Sequence, residues 1–318
     1  NGAMNVAQRA TSVTGLGATA AVYPTCDRWM MQSGSTAGRY TMTQTADGPN
    51  GISANCIKLD CTTADTSIAA AEYLNLEQRL EGQNVQRIGK GVAGAKQFTL
   101  SFYVKASAAF TFGVELDDKD NGRQITKLFA TTTDWVRHSF VIPVDEDDGS
   151  SPFDDDNAAS LAVAFWLHAG TTYTGGTLNT ATFANKITAN RAAGIDSFFS
   201  STDNNFFLTG LQLEVGPVAT EFEQEDISTT LQKCERYYQQ PDGNMFAYRY
   251  RSAFIMNEIV LRTRMRAAPT FAFTGTGTAT ADWSAYDLSA DKVAAYATVA
   301  NTDNTNRHIS ALKIDAEL

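Results

Sequence analysis

The chain has 318 residues, 43% hydrophobic and 19% charged, and 25 Lys and Arg stand against 35 Asp and Glu for a net charge of −10. That apolar content suits one large or two modest globular cores and excludes a disordered chain. The acidic balance argues against a nucleic-acid partner, which would call for a basic face, and no apolar run approaches the roughly 18–20 residues that span a bilayer.

Period-two alternation dominates the first two thirds of the chain. A short helix is expected over Ala69 to Arg79. Phe98, Leu100, Phe102 and Val104 then alternate with polar neighbours, as do Phe110, Phe112, Val114 and Leu116. Val136, His138, Phe140 and Ile142 make a third such run, and Leu161, Val163, Phe165 and Leu167 a fourth. Strands with one apolar face must bury it against a second sheet. Asp117 to Gly122 reads as a hairpin loop, because Asn and Gly tolerate the positive φ such a turn needs. Asp145 to Asn157 and Thr171 to Thr182 read as longer exposed loops. Leu211, Leu213 and Val215 share one face of a strand bracketed by Gly210 and Gly216. The four cysteines (Cys26, Cys56, Cys61 and Cys234) are too sparse for a disulfide framework and read as buried thiols.

Ile227, Leu231, Cys234 and Tyr238 form one stripe of a helix that Asp226 or Ser228 can cap and that Pro241-Asp242-Gly243 stops. Strand patterns return over Met245–Arg266, Thr270–Phe273, Val293–Val299 and His308–Ile314. The expected architecture is therefore mainly β. A jelly-roll β-sandwich occupies 1–223, a linking helix 224–242 and a small C-terminal β domain 243–318.

Five separated patches carry a family likeness. They are Asn1 to Arg9 with Cys26-Asp27-Arg28-Trp29, Leu76 to Gly82, Leu208 to Gly216 running into Ala219 to Glu223, Cys234 to Tyr238, and Asp315 to Leu318. Together they resemble tailed-bacteriophage virion proteins of the tail-fibre, carbohydrate-binding-like jelly-roll type. The resemblance implies a structural protein of the phage particle, a tail fibre or a capsid decoration or head fibre. It also implies a homotrimer in contact with other virion proteins, and recognition of host surface polysaccharide. An adhesin whose primary role is to bind host glycan is the alternative reading, and a polysaccharide depolymerase is a third.

Catalytic patterns are missing from the sequence. The three histidines (His138, His168 and His308) lie in no metalloprotease pattern, there is no G-x-S-x-G elbow or P-loop, and nothing marks a glycosidase carboxylate pair. A non-catalytic protein without a cofactor is expected. Sugar sites pair aromatic platforms with amides and carboxylates. Trp135 and Trp166 run out of phase with the apolar residues of their strands, and with Tyr173 they are the candidate glycan-binding residues. Their rival reading is burial in the core or beneath a neighbouring subunit. Asp145, Asp147, Asp148, Asp154 and Asp156 lie in a loop with seven carboxylates in twelve residues, a candidate for structural Ca²⁺ whose rival reading is a solvated loop. Arg249, Arg251, Arg262, Arg264 and Arg266 are expected to pair with acids of another subunit.

Overall fold

A computed structural model describes all residues except 19, 144–151, 242–244, 248–253, 275–282, 299–306 and 310. The chain divides into two compact units, 1–225 and 226–318.

The first unit is an antiparallel β-sandwich. Its strands are β1 (Ser12–Leu16), β2 (Ala21–Val22), β3 (Met30–Gly34), β4 (Arg39–Thr45), β5 (Cys56–Thr63), β6 (Tyr73–Glu81) and β7 (Phe98–Ala106). They continue with β8 (Thr111–Asp118), β9 (Arg123–Ala130), β10 (Val136–Ile142), β11 (Ala159–Ala169), β12 (Ala184–Asn185) and β13 (Asn205–Val215). One sheet runs β1-β4-β5-β13-β7-β10 and the other β12-β9-β8-β11-β6-β3-β2. The non-sequential neighbours are those of a jelly roll, since the chain crosses repeatedly from one sheet to the other after one or two strands. The alternating runs behave as their period demands. Leu100, Phe102 and Val104 on β7 and Leu161, Val163, Phe165 and Leu167 on β11 are buried in one shared core. Aromatic rings join the sheets edge to face, with ring centroids 4.9 Å apart for Phe102–Phe165 and 5.6 Å for Phe112–Phe206. Each such ring contributes on the order of 1.5–3 kcal/mol through burial.

Two expectations change here. Residues 73–81 form strand β6 and not a helix, pairing with β11 on one side and β3 on the other. Tertiary pairing overrides the helical preference of Leu76-Glu77-Gln78-Arg79-Leu80. The face of β13 also switches part-way. Phe206 and Leu208 are buried before Gly210, whereas beyond it Leu211 and Leu213 pack half-buried on the core. The register shift between Thr209 and Gln212 marks a β-bulge, and Gly210 there has φ 61°. A Cβ at that position would also meet the Tyr103 ring at 2.8 Å. One extra residue flips the alternation and turns Leu211 and Leu213 to the core side, whereas Val215, the last residue of the strand, is 42% exposed.

The bulge frees the Leu211 amide, which donates to the Gly2 carbonyl at 3.1 Å. Asn1 Nδ2 donates to the carbonyls of Val6 and Asp27, and the Gln8 amide to Asp27 Oδ1 at 2.9 Å. Trp29 Nε1 reaches the Asn1 carbonyl at 3.3 Å, and Arg28 donates to the Arg79 carbonyl at 2.5 Å. Four segments of the sequence likeness thus meet in one N-terminal clasp, and their role there is architectural.

In the second unit the helix spans Ile227–Glu235, with Asp226 capping the Ser228 amide at 2.8 Å. It ends before Tyr238, which lies with Gln239 in a strand beside Ala311–Asp315. Thr270–Thr274 completes that sheet. Met245–Ala247 pairs with Arg307–Ile309, and Phe254–Val260 with Lys292–Thr298, which also pairs Trp283–Leu288. Leu261, Met265, Val293, Leu312 and Ile314 form its core. The arginine cluster has partners within its own chain. Arg262 lies 3.4 Å from Glu235, Arg264 lies 3.4 Å from Asp291, and Arg266 Nε donates to the Ala316 carbonyl at 2.7 Å. Arg249 and Arg251 lie outside the described residues.

Candidate functional site

The second face of the seven-stranded sheet carries an unusual density of polar and aromatic groups. Period two dictates it: while Phe112, Val114 and Leu116 of β8 enter the core, Gly113, Glu115 and Asp117 point the other way. Cross-strand register then sets Ala164 and Glu77 in line with Glu115, Gln124 and Arg79 in line with Asp117, and Trp166 and Asn75 in line with Gly113. The connection from Gly170 to Asn204 folds over part of this face. Thr126 fastens it, its amide donating to the Asn179 carbonyl at 2.8 Å and its hydroxyl to the Arg191 carbonyl at 3.2 Å.

Glu115 is the centre of this layer. Arg191 holds it with two bonds, Nε to Oε1 at 2.9 Å and Nη2 to Oε2 at 2.8 Å, and Trp166 Nε1 donates to Oε2 at 2.8 Å. The guanidinium carbon also lies 4.8 Å from the Trp166 ring centroid, a cation–π position. Burial works against the charge of Arg191, but its bonds to Glu115 outweigh that and raise its pKa. Asp117 is held by Lys119 at 2.7 Å and Lys186 at 2.8 Å. Its burial opposes ionisation, yet these cations keep its carboxyl below the ordinary value. Glu77 accepts from Arg79 at 2.7 Å and from Gln32 at 2.9 Å. Carboxylates engaged in this way are poor candidates for a glycosidase pair, which needs an unencumbered acid and nucleophile.

At the end of the layer three aromatic rings converge. Tyr173 lies 5.3 Å from Trp166 and 5.2 Å from Tyr73, and Tyr73 lies 6.1 Å from Trp166. Trp166 has no exposed surface, while Tyr73 and Tyr173 are half-buried. Asn75, directly opposite Trp166, has a buried side-chain oxygen without a hydrogen-bond partner, and both amide atoms of Gln124, farther along the sheet opposite Asp117, are likewise unpartnered. Such groups cost about 1–3 kcal/mol each if nothing satisfies them.

The structure thus brings together two of the three proposed sugar-binding residues, Trp166 and Tyr173. Trp166 faces outward from its sheet, as its phase requires, but Arg191, Tyr73 and Tyr173 surround it, so its ring is a support and not a free platform. Trp135 belongs to the other sheet. Its Nε1 donates to the Asp47 carbonyl at 3.1 Å, and its ring lies 6.2 Å from Phe207 and 5.2 Å from Lys105 Nζ. Asp145, Asp147 and Asp148 lie outside the described residues. Asp154 and Asp156 are exposed, and Asp156 Oδ1 accepts from the Ala158 amide at 2.8 Å. His138 packs between Phe102 and Phe129 and donates from Nε2 to the Ala130 carbonyl at 2.8 Å, a structural role. Tyr73, Asn75, Glu115, Gln124 and Arg191 were not singled out by sequence. Glu115 and Asp117 had a signal, being acids on the polar phase of an apolar strand.

No family model matches the chain, and no curated protein matches it. Among solved structures, the chain is similar to one described as CBM4 structure and function, with a TM-score of 0.33 and 10% identity over 67% of this chain and 99% of that one. It is also similar to a family 11 carbohydrate-binding module from Clostridium thermocellum in complex with a β-1,3-1,4-mixed-linked tetrasaccharide. There the TM-score is 0.31 and the identity 12%, over 61% of this chain and 91% of the other. A third is a CBM22-1 xylan-binding domain from Paenibacillus barcinonensis Xyn10C, with a TM-score of 0.29 and 12% identity over 59% and 87% of the two chains. Among the described residues no helix is long and apolar enough to cross a membrane.

Proposed function

We propose that the 1–225 unit binds carbohydrate reversibly and without chemistry, on the outer face of its seven-stranded sheet. The observation that carries this reading is the Tyr73–Trp166–Tyr173 cluster, in which the two tyrosines are half-buried and Trp166 lies beneath cover. Sugar rings present C–H faces to aromatic side chains and hydroxyls to polar neighbours, and a surface with partly exposed tyrosines amid polar groups suits that ligand class. In this arrangement the two tyrosines contact the sugar, and Trp166 and Arg191 hold them in place.

The full chain is expected to bind some members of a polysaccharide panel that includes bacterial capsule and lipopolysaccharide glycans, leaving their chain length unchanged. Tyr173→Ala is expected to weaken that binding at least tenfold, measured by calorimetry, with little change in melting temperature. Absence of binding across the panel, or full affinity in the variant, rejects the site.

The setting we propose is a bacteriophage particle, supported by the five sequence patches and not by the sheet geometry. A homotrimer is the associated assembly. Light scattering on the full chain is expected to give three times the 34.4 kDa mass, and a monomer mass rejects the trimer.

A further inference from the structure

Asp65, Glu72 and His168 are far apart in sequence yet meet in the first unit. Asp65 follows β5, Glu72 precedes β6, and His168 is the penultimate residue of β11. All three are buried, and one potential ligand atom from each lies within 4.8 Å of the others. Each is held from outside the cluster. Thr36 Oγ1 and the Ala37 amide donate to Asp65 Oδ2 at 2.9 and 2.7 Å. The Gly170 amide donates to the Glu72 carbonyl at 2.8 Å, and His168 Nδ1 meets Ser197 Oγ at 2.8 Å.

The inward-facing atoms are less well provided for. His168 Nε2 and Glu72 Oε2 face each other at 3.5 Å, and both are buried with no hydrogen-bond partner. If Nδ1 donates to Ser197, then Nε2 presents a lone pair to a carboxylate oxygen. If Ser197 donates to Nδ1, an Nε2–H faces that oxygen at a distance too long for a good hydrogen bond. With Glu72 ionised, neither tautomer satisfies the pair.

A divalent cation between them does. Ligand atoms about 2.0–2.2 Å from a tetrahedral zinc ion lie about 3.3–3.6 Å from one another, which matches the 3.5 Å between His168 Nε2 and Glu72 Oε2, and Asp65 offers a carboxylate oxygen within 4.8 Å of both. We infer that Asp65, Glu72 and His168 form a three-ligand site for a divalent transition metal of the zinc class, with a fourth position open to water. The donor set chooses the class. Calcium takes six to eight oxygen ligands, whereas one imidazole with two carboxylates suits zinc and its neighbours. Ser197 bonds the other ring nitrogen of His168 and so fixes the orientation of the ligating ring.

The ion would pin the loop before β6 to the end of β11. Tyr73 adjoins Glu72, and Trp166 lies two residues before His168, so the pin would stiffen the strand ends that carry two of the clustered rings. The assignment itself does not rest on the carbohydrate reading.

The test uses the full chain stripped with a chelator. Calorimetry is expected to show one equivalent of Zn²⁺ bound, with Ca²⁺ binding at least a hundredfold weaker, and Zn²⁺ is expected to raise the melting temperature by several degrees. His168→Gln and Glu72→Gln are each expected to lose stoichiometric Zn²⁺ binding while melting near the stripped wild-type chain. Absence of saturable Zn²⁺ binding to the stripped wild type overturns the site, as does unchanged binding in both variants. If neither variant folds, X-ray absorption at the zinc edge of the loaded wild-type chain decides. One imidazole with oxygen ligands supports the assignment, whereas sulfur or a second imidazole overturns it.

Discussion

Replacing Arg191 with alanine is expected to destabilise the first unit by about 3–5 kcal/mol, the cost of removing one partner from a buried ion pair. Glu115 has no exposed surface and takes two of its bonds from this guanidinium. Without it the carboxylate keeps only the Trp166 indole N–H, and nothing balances its charge in a dry environment. For a unit of this size that loss lowers the melting temperature by roughly 6–20 °C. Arg191→Lys should rescue little, because an ammonium cannot reproduce the bidentate fork or the flat contact with the Trp166 ring. Arg191→Ala with Glu115→Leu should recover most of the loss, since the uncompensated charge has gone, and the resulting double-mutant coupling measures the pair. Tryptophan fluorescence serves as the probe: Trp29, Trp135 and Trp166 belong to the first unit and only Trp283 to the second. A cost below about 0.5 kcal/mol for Arg191→Ala would mean that Glu115 is solvated or protonated, and would remove the ion pair as the support of the aromatic cluster.

That pair also marks the limit of what sequence can disclose. The phase of β7, β8, β10 and β11 was readable because a period of two is local. The Asp117 to Gly122 turn was readable because Gly122 needs its φ of 62°, but it is shorter than expected, since Asp117 and Asp118 belong to β8 and only 119–122 turn. The outward phase of Trp166 was equally local, and it was correct. What covers Trp166 was not readable, because Arg191 reaches it across a chain separation that only the folded connection closes. Tyr73 was hidden for a related reason, lying in a segment whose composition suggests helix while its pairing partners make it strand. The same holds for Asp65, Glu72 and His168, which share no spacing motif and meet only through the strand ends. The arginine cluster shows the same limit from the other side. Its charges were legible, but the sequence held no sign that Glu235 and Asp291 of the same chain would meet them. Local periodicity therefore disclosed the layers, and cross-strand register built the candidate sites.

The sandwich interior offers the second large effect. Phe102→Ala should cost about 3–5 kcal/mol, the range for deleting a buried phenylalanine side chain. Phe102 is the meeting point of the two sheets. It stands on β7 with no exposed surface, 4.9 Å from Phe165 and 5.2 Å from Phe129 on the opposite sheet, both edge to face. Each such contact contributes about 0.5–1.5 kcal/mol beyond burial, and alanine forfeits both. The surrounding rings are fixed by their own neighbours, so the void cannot readily collapse, which places the cost toward the upper end. Phe140 gives the comparison. It lies 6.2 Å from Phe102 on the edge strand β10 and is only half-buried, so Phe140→Ala should cost less than half as much. Urea unfolding of the first unit should show both changes as shifts in midpoint with the slope preserved, because neither variant alters the surface exposed on unfolding by much. Equal costs for the two variants would sink the argument. They would mean that the sheets are joined by distributed aliphatic packing, and that the ring cluster around Phe102 is no more than one part of it.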